Sequence, residues 1–157
     1  MDSSQTVREH LVTQLTEEHA HISFSRAVEG LKARQVGRRP DSLPYSIWEL
    51  VEHLRIAQHD IVQFSSDPDY KSPEWPGGYW PESPSPDDQQ VWEESLDQIE
   101  ADLQQMVNLV RDTANDLFEP FAHGSGQTLF REAVLIIDHN SYHTGQIVTV
   151  RRLLDLW

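Results

Sequence analysis

The sequence has no cysteine. That absence removes disulfide scaffolds, thiolate-ligated zinc or iron–sulfur centres, and any nucleophilic thiol supplied by the protein itself. Positive charge is scarce too: 12 Lys and Arg stand against 26 Asp and Glu, a formal net charge of −14. Such a surface repels phosphate backbones and anionic lipid, which argues against nucleic acid as a partner. No apolar run is long enough for a membrane span. The polar start, Met1 to Gln5, lacks the basic-then-apolar order of a signal peptide. The expectation is a cytoplasmic protein without a membrane partner. Strand-like alternation is missing as well. The 157 residues that remain are enough for one domain, residues 1–157, with its own core.

Helical periodicity is present in four stretches. The first spans residues 6–36, with Val7, Leu11, Leu15, Ile22 and Leu31 as a loose stripe, and ends before Gly37. The second begins at Ser46, where Ser46-Ile47-Trp48-Glu49 has the spacing of a capping box. Ile47, Leu50, Leu54, Ala57, Ile61 and Phe64 then share a face. Residues 65–85 are rich in proline but carry Trp75, Tyr79 and Trp80, so they predict an ordered crossover pinned by aromatics. A wall over a pocket is the alternative role for those rings. Ser85-Pro86 is the expected opening of the third helix, whose Trp92, Leu96, Ile99, Leu103, Met106 and Val110 form a bundle seam. Thr128 is the expected cap of the fourth.

A short loop makes helical neighbours antiparallel, and a long crossover lets the second and third helices run parallel. The expected fold is therefore all-α: a four-helix bundle, up-down-down-up, with the long crossover between helices 2 and 3. The fourth helix has two apolar rows, one through Leu129, Ile136 and Ile147 and another through Phe130, Val134, Ile137, Thr144 and Val148. A small bundle buries one such row, so the second is expected at a homodimer interface or under the Trp75–Trp80 crossover.

Histidine is the residue in surplus, with eight in the chain. His139 and His143 lie four apart within the apolar stripe of the fourth helix. Four residues turn through about 400°, so both rings leave one face. This is how a helix presents two nitrogens to one metal ion. Two buried imidazoles bonded to other side chains would show the same spacing. His53, beside Leu50 and Ala57 on the second helix, is a candidate third ligand. It stands about 10 Å along the axis from its cap, and His139 about 16 Å from its own, so both are well inside their helices. Three imidazoles from two facing helices make a three-nitrogen site with an open position, the form of a catalytic rather than a structural metal. Bound through imidazoles of free pKa about 6.5, such an ion should leave below about pH 6.

Other candidates are weaker. Gln146 shares the His139/His143 face and could orient an imidazole or a water. Glu49 is one turn before His53 and could approach the ion, but its capping role accounts for it. His19 falls near the apolar side of the first stretch and is a candidate pocket residue. Asp60 is two turns beyond His53, too far for direct ligation. His59 and His123 read as surface residues.

Ser46-Ile47-Trp48-Glu49-Leu50-Val51-Glu52-His53-Leu54, together with Asp138-His139-Asn140-Ser141-Tyr142-His143-Thr144-Gly145-Gln146-Ile147, resembles the DinB superfamily. The resemblance runs over nearly the whole chain. It implies a divalent cofactor, nickel or zinc first, on His53, His139 and His143. It also implies a small-molecule substrate and a low-molecular-weight thiol, with S-transfer the first reaction to expect and hydrolysis next. A thiol would have to come from outside the protein, and Arg55 and Arg131 are the candidates to offset its charge. The rival reading is a non-catalytic bundle that binds a metal or small ligand.

Overall fold

The computed structural model describes residues 3–157. Its regular structure is helical, without strands among the described residues: α1 (Ser3–Thr16), α2 (Phe24–Val28), α3 (Ala33–Val36), α4 (Ile47–Ser66), α5 (Gln89–Arg111) and α6 (Leu129–Leu153). A single 3-10 turn, Gly77–Tyr79, lies in the crossover. No helix among these residues is long and apolar enough to cross a membrane.

The central helix, α4, starts as its capping box requires. Ser46 Oγ accepts the Glu49 N–H, and the Glu49 carboxylate accepts the Ser46 N–H at 2.8 Å. The same buried hydroxyl donates to the Pro84 carbonyl at 2.6 Å, which ties the helix start to the far end of the crossover. α4 packs against both α5 and α6, and α1 packs across those two. Thr128 caps α6 as expected, accepting the Arg131 N–H.

Two boundaries differ from the sequence expectation. Residues 6–36 are not one helix. α1 stops at Thr16, and the Glu18 carboxylate then accepts the Ser23 N–H and the Arg26 guanidinium, which folds the chain into a loop. Ser23 caps α2, and Gly30, at φ +75, sits in the left-handed region between α2 and α3. A cap and a helix-stopping glycine outweigh a loose apolar stripe. α5 begins at Gln89 rather than at Pro86, because the Asp88 carboxylate takes the cap by accepting the Val91 N–H at 2.9 Å.

Two apolar clusters form the core. One joins α2, α3, the first part of α4, Trp92 and Ile99 of α5, and Ile147, Val150 and Leu154. The other joins α1, Ile61 and Val62 of α4, Met106 to Val110 of α5, and Leu129 to Ile136 of α6. Cluster membership on α4 stops at Leu54 and resumes at Ile61; on α6 it stops at Ile136 and resumes at Ile147. The gap is a polar layer. Within it, fully buried Gln58 donates to the Ile99 carbonyl at 2.6 Å and accepts the Asn140 amide at 2.7 Å, linking α5, α4 and α6. His139 and His143 lie in the α6 part of this layer, and His53 faces them from the edge of the first cluster on α4.

Candidate metal centre

The three histidines meet. One ring nitrogen from each of His53, His139 and His143 lies within 4.8 Å of the others, a group able to hold a metal ion. His53 and His143 are buried and His139 is partly exposed. Their ring centroids are 4.4 to 5.0 Å apart. The geometry follows from the register: α4 and α6 pack together, with His53 in the second turn of α4 and His139 and His143 near the middle of α6.

Hydrogen bonds determine which nitrogens are free. His53 Nδ1 lies 2.8 Å from the Tyr79 carbonyl, which can only accept, so Nδ1 carries the proton and Nε2 keeps its lone pair. His143 Nδ1 lies 2.6 Å from Gln146 Oε1, while the Gln146 amide nitrogen donates to the Tyr45 and Tyr142 hydroxyls. His143 Nδ1 is therefore the donor, and its Nε2 is free to ligate. His139 Nε2 stands 3.2 Å from His53 Nε2. Two ligands at ~2.0 Å from a tetrahedral ion would stand about 3.3 Å apart, so the donor spacing fits a divalent ion. His139 Nδ1 is buried without a hydrogen-bond partner.

The electrostatics favour the ligating form. Burial pushes His139 and His143 down to about 4, helped by the neighbouring imidazoles. Burial also lowers His53, against the opposing effect of the Tyr79 carbonyl. Near neutrality, then, the rings carry lone pairs rather than charge.

Gln146 reaches the cluster through His143. Glu49 is committed elsewhere: its carboxylate accepts the Ser46 N–H and pairs with Arg39. Burial opposes its charge, but the Arg39 guanidinium and the Ser46 amide outweigh that and hold it below the usual carboxylate range. His19 is exposed beyond the end of α1 and bonds the Thr13 carbonyl, so the structure does not bring it to the cluster. His59 is less solvated than expected, since its Nδ1 meets the buried Asp102 carboxylate at 3.1 Å. His123 is exposed, against the Phe64 carbonyl.

Sequence reasoning missed the crossover's part. Besides the Tyr79 carbonyl, the Trp80 ring stacks on His53 at 4.0 Å with only 4° between planes. This contact pins the crossover to α4, the first of the two roles considered for these aromatics. The signal available was three large rings in a proline-rich segment, but a carbonyl ligand for an imidazole has no side-chain signature.

Residues 18–147 match the family model of the DinB superfamily. The chain belongs to that superfamily. Neither a curated protein nor a solved structure gives a match. The superfamily match covers all three histidines, Gln146 and the crossover.

Proposed function

We propose that this DinB-superfamily chain binds one divalent ion, nickel or zinc, through His53, His139 and His143, and is a metal-dependent enzyme of thiol S-transferase or hydrolase type. The carrying observation is the convergence of three imidazoles, two of them with Nδ1 held as donor so that Nε2 is free. We place the site within an up-down-down-up four-helix bundle that forms one domain. A bound ion would supply a Lewis acid able to lower the pKa of a coordinated thiol or water. The chain's own residues hold and orient the donors, and the Trp80 ring keeps water from one face of His53. Arg55 and Arg131 are engaged by Glu52 and Glu132, and the net charge is −14. That favours a thiol co-substrate of low negative charge.

Metal analysis of protein purified without a polyhistidine tag or chelator should give one ion per chain, and His143→Ala should abolish stoichiometric binding. Unchanged metal content in that variant would sink the ligand assignment. For the reaction, an electrophilic dye is offered with a panel of cellular thiols. Conjugation by native protein should exceed that by His139→Ala. Equal rates at matched metal would favour the second reading, a non-catalytic metal-binding bundle, to which the Trp80 ring lying flat on His53 lends support.

A further inference from the structure

The crossover enters the histidine layer by a route that begins on α4 itself. Asp60 is seven residues after His53, two turns along the same helix face. Its Oδ2 accepts the Tyr79 hydroxyl at 2.7 Å. The backbone of that same tyrosine returns to α4, where its carbonyl accepts His53 Nδ1–H at 2.8 Å. Tyr79 thus spans two points of α4, with its phenol on Asp60 and its carbonyl on His53. The next residue, Trp80, lies flat on the imidazole. Tyr79 also closes the 3-10 turn, and Trp75 packs on its ring at 5.4 Å, which braces the turn from the solvent side.

We propose that Asp60 and Tyr79 are positioning residues for the metal centre: the Asp60–Tyr79 hydrogen bond holds the crossover in the register at which the Tyr79 carbonyl fixes the orientation and tautomer of His53. This rests on the three-histidine reading above and adds residues that never touch the ion. The physical reason is directional. An imidazole turns about two side-chain bonds, and only an acceptor on Nδ1 keeps Nε2 aimed at its partners. A carbonyl on a loop does that only if the loop is anchored. Here the anchor is a carboxylate on the ligand's own helix, so anchor and ligand move together. The Tyr79 hydroxyl at 2.7 Å is the close link from the Asp60 side chain to the crossover. The Tyr70 phenol of the same segment lies against that carboxylate as well, and burial together with the carboxylate raises its pKa.

The test is cobalt(II) binding to the apo full-length protein, read as affinity by chelator competition and as the visible ligand-field spectrum. The variants are Tyr79→Phe, Asp60→Ala, the double variant and Asp60→Asn, with thermal unfolding of each apo form recorded alongside. Removing a partner that orients a ligating histidine typically costs about 10–100-fold in metal affinity. Tyr79→Phe and Asp60→Ala should each weaken cobalt binding about tenfold or more and alter the spectrum. The double variant should lose no more than the larger single loss, since both remove one bond. Asp60→Asn, which keeps an acceptor oxygen, should restore most of the affinity. Native-like affinity and spectrum in Tyr79→Phe overturn the proposal, as do additive losses in the double variant. If Asp60→Ala fails to fold, Tyr79→Phe, which loses only a hydroxyl, decides alone. A native protein that binds no cobalt overturns the three-histidine reading and this one together. A native protein that binds it, with variants that bind equally, overturns this one alone.

Discussion

At the scale of single atoms, the centre depends on which nitrogen of each ring carries a proton. Gln146 does for His143 what the Tyr79 carbonyl does for His53, and its own amide is held by the Tyr45 and Tyr142 hydroxyls. Gln146→Ala should therefore weaken metal binding by about 10–100-fold while stoichiometry at saturating ion stays the same. Competition against a chelator measures it, and an unaltered affinity would remove Gln146 from the site. Acid behaviour also differs from what a free imidazole implies. His139 and His143 are pushed down to about 4 from an ordinary 6.5, so protons compete for them only at lower pH. We expect the ion to remain bound at about pH 6 and to leave as the pH falls toward 4, rather than below about pH 6 as a free pKa suggests. The sign for stability follows. Between 6.5 and about 4 the unfolded chain binds protons that the folded apo chain refuses, so these rings favour folding fully above 6.5 and less as pH falls. Urea midpoints of apo protein at about pH 7.5 and 5 should fall further for the native chain than for His139→Gln/His143→Gln. Equal falls would show that these two rings titrate normally.

At the scale of elements, α4 connects cap, crossover and ligand. Ser46 is fully buried, accepts the Glu49 N–H and donates to the Pro84 carbonyl. Ser46→Ala should cost about 1–2 kcal/mol in denaturant unfolding, the usual range for a lost cap. A loss near zero would mean that water replaces both bonds. Glu49→Gln should destabilise too, since it breaks the Arg39 pair, yet leave metal stoichiometry at the native value. Loss of the ion in that variant would make Glu49 a ligand. The capping signals explain how much was legible. Ser46 and Thr128 were readable because a cap is a local rule of four residues, and the histidines because helix period and burial are local as well. The break at Thr16 was not, because Glu18 acts on Ser23 and Arg26 through a loop conformation that periodicity does not encode. Nor was the contact of Tyr79 with His53, which spans 26 residues and uses a backbone atom. The polar layer between the two apolar clusters is visible in the sequence only as histidines out of place; Gln58 and Asn140, which complete it, carry no local signal of burial.

At the scale of the whole molecule, the remaining question is what covers the second row of α6. The crossover's contacts run to α4, through Tyr79 and Trp80. The row itself is divided: Thr144 is buried, Phe130, Ile137 and Val148 are half-buried, and Val134 is 40% exposed. Phe130 packs at 5.4 Å on Phe118, itself 53% exposed, so the pair presents an apolar ridge beside Val134 to solvent. Contiguous apolar surface of this kind is one mark of a contact between chains. We propose a homodimer through this row, with Phe118 beside Phe130 and Val134. Charge opposes it, because two chains of −14 repel at long range. Screening shortens that repulsion from about 10 Å at 0.1 M salt to about 3 Å at 1 M, while apolar contact persists. Light scattering should therefore give a dimer mass that strengthens with added salt, and Val134→Glu should return the protein to a monomer with its metal content intact. A native monomer at every salt concentration would show that the ridge is simply solvated.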